Sequence, residues 1–222
     1  MLSPGFVDRG DALCGLCQRA HPPFERAVAY GGYDGGLRDL IHLLKYQQVR
    51  PAAAVLGRML GEVIQNLEVS MPAGTIAVVP VPLHRRKQGQ RGFNQSELIA
   101  SSALKCIGRP ERFEMVTGSL ERTRETGSQI GLTRHQRREN LSGAFKVTEP
   151  ARVANRQILI VDDVFTTGTT VSECARVLRR AGASRVWVAT VARTLKVSNV
   201  FAVPEQDREE SNEARLAAAA HG

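Results

Sequence analysis

Cysteine is sparse in this chain: four residues in 222, at positions 14, 17, 106 and 174. A chain of this length buries a core without covalent staples, so the four read as free thiols or metal ligands, not as a disulfide framework. Also missing are a leader pattern at the N-terminus and any apolar run near the roughly eighteen residues a bilayer-spanning helix needs. No membrane insertion is expected, and the chain reads as a soluble cytoplasmic protein. No segment repeats, which sets aside solenoids and arrays. Aromatics make up 5% of the residues, and Trp187, the one tryptophan, is expected to pack inside. The remainder is ordinary: 42% hydrophobic residues, near the globular norm, and a length that suits one domain with appendages.

Charge is unevenly spread. The net value is +8 and the isoelectric point near 9.9, yet Glu205–Glu213 carries five acids against one base, so the body is more basic than the total. Arg85, Arg86, Lys87 and Arg91 stand together without an acid, and Arg122–Arg138 holds five arginines with Glu125 as the single acid. Such clusters suit a nucleic acid and equally a ligand with several phosphates.

The stretch that organises the chain is Ile158–Thr170. Ile158, Leu159, Ile160 and Val161 form a β-branched-rich run of the kind found in a strand buried on both faces. Asp162 and Asp163 follow, then Val164, Phe165, and the turn Thr166, Thr167, Gly168, Thr169, Thr170. From Val171 the spacing is helical (Val171, Ala175, Leu178, Ala181), and Gly182 sits where a helix stops. A loop entering a helix N-terminus offers unpaired N–H groups and the positive end of the helix dipole, a seat for phosphate. Gly168 lets the main chain approach the anion, and the threonine hydroxyls add donors. The two carboxylates can accept from vicinal hydroxyls or hold a hydrated magnesium ion. A phosphate beside a diol describes a ribose 5-phosphate; an acidic β-turn capped by threonine is the bland alternative.

Ile158–Thr170 closely resembles the phosphoribosyl-pyrophosphate (PRPP) motif of type I phosphoribosyltransferases. Val79–Gln95 (VPVPLHRRKQGQRGFNQ) and Arg122–Phe145 (RTRETGSQIGLTRHQRRENLSGAF) narrow the resemblance to the ComF family of phosphoribosyltransferase-like proteins. It spans about Ala27 to Arg193. The implied fold is α/β, type I phosphoribosyltransferase-like: a mainly parallel sheet flanked by helices, with a small N-terminal hood carrying a partial zinc-ribbon remnant. The expected division is 1–26 zinc-ribbon-like, 27–196 phosphoribosyltransferase-like, and 197–222 a disordered tail.

Cys14 and Cys17 form one C-x2-C pair, half of a tetrahedral zinc site, with His21 as a possible third ligand. Relatives in the family carry two such pairs, so either the start is truncated or the module has decayed. Cys106 and Cys174 look like buried apolar positions. Arg26–Tyr33 reads as a short strand broken by Gly31 and Gly32. Leu37–Tyr46 and Ala52–Leu67 read as amphipathic helices separated by Pro51. The resemblance puts Tyr33–Lys45 beside the substrate as part of the hood, making His42 and Lys45 weak candidates; two packing helices explain the residues equally well.

Ile76–Val79 is a second buried strand, ended by Pro80-Val81-Pro82. A loop with His84, Arg85, Arg86, Lys87, Arg91 and Asn94 then enters a helix running to Leu104. Cations and amides at a strand's carboxyl end form a second anion site. By resemblance this is the pyrophosphate loop, with Arg85, Lys87, Arg91 and Asn94 as ligands. A basic loop for nucleic acid is the rival, although only Phe93 is interleaved with the cations. Arg122–Gly143 reads as a long polar loop. The resemblance makes it a lid over PRPP, with Gln129, Leu132, Arg137 and Asn140 matching the family spacing, Gln129 at the pyrophosphate and Arg137 a bidentate contact for it. Gly143–Val147 and Arg185–Val191 complete the strands.

The resemblance thus implies magnesium-dependent transfer of ribose 5-phosphate from PRPP. Asp162, Asp163 and Arg137 would be the catalytic residues, and Asp162, Asp163 and Thr166–Thr170 would hold PRPP. No side chain stands out as a general base, and the acceptor is open. A second reading is a regulator of DNA uptake in natural competence: the pocket senses PRPP or a nucleotide while the basic segments hold single-stranded DNA or a competence helicase.

Overall fold

A computed structural model of the chain describes residues 22–124, 136 and 140–194. The elements in order are β1 (Arg26–Gly32), α1 (Gly35–Tyr46), α2 (Ala52–Glu68), β2 (Ile76–Pro80), α3 (Arg85–Arg91), α4 (Gln95–Ile107), β3 (Phe113–Met115), β4 (Leu120–Arg122), β5 (Phe145–Val147), a turn of 3-10 helix (Pro150–Arg152), β6 (Gln157–Phe165), α5 (Thr169–Arg180) and β7 (Arg185–Arg193). Five strands form one sheet in the order β1-β7-β6-β2-β3, and every adjacent pair is parallel. β4 and β5 form a separate antiparallel pair.

The apolar runs read from the sequence become the central strands. Ile158–Val161 and Val186–Ala189 are buried on both sides because helices cover both faces. One face carries α1, α2 and α4, through Ile41, Leu44, Leu56, Leu60, Ile64 and Ile99, packed on Leu159, Val161 and Trp187. The other carries α5 and the β4–β5 pair, through Val171, Cys174, Leu178, Leu120 and Phe145, packed on Ile158, Ile160 and Val188. Each such aliphatic side chain taken fully from water contributes about 1.5–3 kcal/mol. α2 and α4 approach closely because Gly57 has no side chain: a Cβ there would stand 2.4 Å from Ser102 Cβ. Trp187 is buried, as expected.

Several local expectations change. Gly31 and Gly32 do not interrupt β1, which stays paired with β7 through Gly32↔Arg193. Residues 85–91 are a helix and not a loop: His84 Nδ1 accepts from Arg86 N, and Gly92, at φ 75, closes the other end. Cys106 is exposed, because it falls off the face of α4 that buries Ile99, Ala100 and Ala103. Cys174 is buried. β3 and β4, three residues each, are additional. The N-terminal pair Cys14 and Cys17 and the acidic tail lie outside the described residues.

The strand order sets where a ligand can enter. From β2 the chain crosses to β3 on one side, and from β6 it crosses to β7 on the other. Beyond the carboxyl ends of β2 and β6 the two connections diverge, and a crevice opens between them.

Candidate functional site

β6 runs four residues beyond the apolar run Ile158–Val161, to Phe165, and carries Asp162 and Asp163 within it, paired with β7 through Asp162↔Thr190. Both are nearly inaccessible, at 8% and 4%. Buried carboxylates need partners, and the partners come from two helices on the same face of the sheet. Ser96, in the first turn of α4, donates its hydroxyl to Asp162 Oδ1 at 3.0 Å, and the Asp163 N–H donates to the same oxygen at 3.0 Å. Lys45, in the last turn of α1, places its ammonium on the Asp163 carboxylate.

The two acids are therefore unlike. Burial, and then the charge of Asp163, pushes the Asp162 carboxyl up to about 8. Burial opposes the charge on Asp163 too, but the Lys45 ammonium, joined by hydrogen bonds from Asp162 and the backbone, holds that carboxyl below the usual range. Lys45 feels the reverse: burial alone would lower it, and the Asp163 carboxylate raises it. Side chains thus already occupy much of the pair's coordination. Among the described residues, no group of three or more His, Cys, Asp or Glu side chains is placed to hold a metal. The residues present do not fit a magnesium ion bound directly by the acid pair.

The turn after β6 leads into α5 without a side-chain cap, which leaves the first N–H groups of the helix without acceptors inside it. Gly168 sits at φ 74, and a Cβ there would meet Phe165 Cζ at 2.5 Å. The turn is shaped for glycine by both its backbone and its neighbour. Thr167 and Thr169 share a hydrogen bond between hydroxyls, 2.8 Å long, and Thr166 is exposed. The geometry is that of an anion cradle two residues beyond the acid pair.

Across the crevice, the segment after β2 is tied to β6 by Val81 N–H donating to Val161 O at 2.9 Å. Asn94 is engaged at both ends: its Nδ2 donates to Val81 O at 3.0 Å, and its Oδ1 accepts from Ser96 N–H at 3.1 Å. It caps α4 and thereby orients Ser96. Arg91 donates to Gln95 Oε1 and lies over the Tyr46 ring, 5.9 Å from its centroid. Arg85 pairs with Glu121 at 2.8 Å. Lys87 is exposed on α3. His42 accepts or donates at 3.1 Å to the Tyr33 hydroxyl. Gln129, Leu132 and Arg137 lie outside the described residues.

Sequence reasoning gave Lys45 little weight and did not single out Ser96. The position of Ser96 two residues after Asn94, at a helix start, marked it as a first-turn residue. Nothing local tied either side chain to an acid far along the chain.

The phosphoribosyl transferase domain family model matches residues 98–207. The chain is 38% identical over 185 residues to the DNA utilization protein YhgH of Escherichia coli (strain K12), covering 82% of this chain and 78% of that protein. It is 30% identical over 185 residues to Competence protein F of Haemophilus influenzae, covering 81% and 78%. With Competence protein ComFC of Bacillus subtilis (strain 168) the identity is 23% over 150 residues, covering 68% and 56%. A two-faced parallel α/β sheet with an acid pair and a glycine-and-threonine turn at one strand end, together with these relatives, establishes that the chain belongs to the ComF family of type I phosphoribosyltransferase-like proteins.

Proposed function

We propose that the chain binds PRPP at the carboxyl end of β6 and transfers its ribose 5-phosphate to an acceptor, releasing pyrophosphate, in the service of DNA uptake or use. One observation carries this reading. The uncapped glycine-and-threonine turn that opens α5 and the buried acid pair of β6 stand next to each other at the crevice. A 5-phosphate and a sugar diol have the same adjacency.

In this reaction the bond from the anomeric carbon to the pyrophosphate oxygen breaks, and its electron pair leaves with pyrophosphate. The acceptor's nucleophilic atom bonds to that carbon and loses its proton to solvent. Asp162 and Asp163 would grip the ribose hydroxyls, and Asp163, the ionised member of the pair, would offset the positive charge growing on the carbon; Thr166–Thr170 would hold the 5-phosphate. Arg85, Lys87 and Arg91 would face the departing pyrophosphate, with Gln129 and Arg137 contributing from the segment expected to close over it. Asn94 would serve by holding α4 and Ser96 in place. Magnesium belongs to this proposal as the ion that accompanies PRPP. Zinc at Cys14 and Cys17 remains a proposal from the sequence.

The test is calorimetric. Asp162→Asn combined with Asp163→Asn is expected to abolish binding of magnesium–PRPP with the fold intact by circular dichroism; undiminished binding contradicts the assignment. Pyrophosphate release across a panel of bases and amines then tests turnover.

A second reading, a PRPP- or nucleotide-sensing protein that holds single-stranded DNA or a helicase, is favoured by α3. None of its residues is buried, it has no acid in its first turn, and its cations stand beside the site. Steeply salt-dependent DNA binding without turnover would select it.

A further inference from the structure

Lys45 is the one feature of the site that neither the phosphate cradle nor the basic helix explains. Its side chain is 18% exposed and that of Asp163 6%, so the ion pair is nearly out of water. It is not a wandering surface lysine. The helix that carries it is anchored in the core by Leu37, Ile41 and Leu44, and its ammonium sits in the last turn, where the negative end of the helix dipole favours a cation.

A divalent ion at the acid pair would have to take the place of this ammonium. Magnesium demands near-octahedral oxygen coordination and keeps several waters. Here Asp163 is already neutralised by Lys45, and one oxygen of Asp162 already accepts two hydrogen bonds. Sugar hydroxyls make no such demand. An ionised carboxylate such as that of Asp163 has about four acceptor positions, so a diol can donate into the lone pairs left over, beside the ammonium.

We propose that Lys45 is the resident cation of the acid pair: it neutralises Asp163 in place of a metal ion, so that the pair receives the hydroxyls of a sugar and rejects free divalent cations. Lys45 is thus a positioning and specificity-determining residue. The proposal rests on the sugar-phosphate reading of the loop after β6, and its test does not use PRPP.

The probe is Mn2+ alone, titrated into the full chain by calorimetry and followed by electron paramagnetic resonance of the free ion. The wild type is expected to show no Mn2+ binding that Asp163→Asn removes. Lys45→Met is expected to gain one Mn2+ site at least about tenfold tighter, Lys45→Met with Asp163→Asn to lose it, and Lys45→Arg to behave as wild type. Either of two results overturns the proposal: wild-type Mn2+ binding that Asp163→Asn abolishes, or a folded Lys45→Met that gains none. Should Lys45→Met fail to fold, the comparison of wild type with Asp163→Asn decides alone. If the Mn2+ results hold and PRPP does not bind, the sugar-phosphate reading falls and the role of Lys45 as resident cation stands. If PRPP binds and the Mn2+ results fail, only the role of Lys45 falls.

Discussion

Replacing Asp162 with Asn separates what the acid pair does for stability from what it does for a ligand. In the folded protein the Asp162 carboxyl is pushed from 3.8 up to about 8, by burial first and by Asp163 second. The folded state therefore holds this proton more tightly than the unfolded chain does. Its contribution to stability is complete below about pH 4 and is lost as pH rises toward about 8. The gap corresponds to a ceiling on the order of 6 kcal/mol. Relaxation of the side chains and entry of water reduce that to an expected change of roughly 2–3 kcal/mol between about pH 5 and about pH 9. Asn keeps an oxygen that can accept from Ser96 and from the Asp163 N–H, so near pH 5 the variant should lie within about 1 kcal/mol of wild type. Near pH 9 it should be the more stable of the two. Urea unfolding of both proteins at several pH values measures the difference directly. A difference that does not change with pH, or one that turns against Asn as pH rises, would refute the account of the pair.

Other expectations follow from the same geometry. Lys45→Met leaves a buried carboxylate without its cation and should cost about 3–5 kcal/mol, most of it recovered when Asp163→Asn is added; a double-mutant cycle in urea measures the coupling, and additivity would refute it. Gly168→Ala forces a left-handed backbone on alanine and pushes Phe165 aside, so it should cost about 2 kcal/mol and lower Tm by about 4–8 °C in a chain of this size. Scanning calorimetry checks this, and an unchanged Tm would show the turn to be relaxed. Burial, with Asp162 nearby, pushes the Cys174 thiol up, so iodoacetamide should alkylate exposed Cys106 in the native protein and reach Cys174 only after unfolding; mass spectrometry of the labelled peptides reads both.

What the sequence made legible was local. Ile158–Thr170 carries its strand, acids, turn and helix start in one contiguous run, and the structure keeps that order. The helices at Leu37–Tyr46 and Ala52–Leu67 follow from apolar spacing alone, because one face of each meets the sheet. Residues 85–91 read as a loop because a helix with no buried side chain has no apolar period to show. Its signals were the ends, His84 as cap and Gly92 as stop. β3 and β4 are too short to display alternation. Lys45 was illegible for a different reason. Periodicity says which face of α1 is buried, but it cannot say that the lysine at the helix end arrives over an acid that strand order brings beside it.

That last point explains why the site lies where it does. The acids of β6 need two partners, and neither is near in sequence: Ser96 comes from the start of α4 and Lys45 from the end of α1. Both helices pack on the same face of the sheet, but they point opposite ends at the acids. α4 presents its N-terminus, where a hydroxyl can donate, and α1 presents its C-terminus, where a cation is favoured. The two ends meet the acids at the carboxyl end of β6, beside β2, where the crossovers part. The motif after β6 can cradle a phosphate by itself. An acid pair with one carboxyl hydrogen-bonded and the other ion-paired requires the whole strand order, and that asymmetry is what the proposed role of Lys45 rests on.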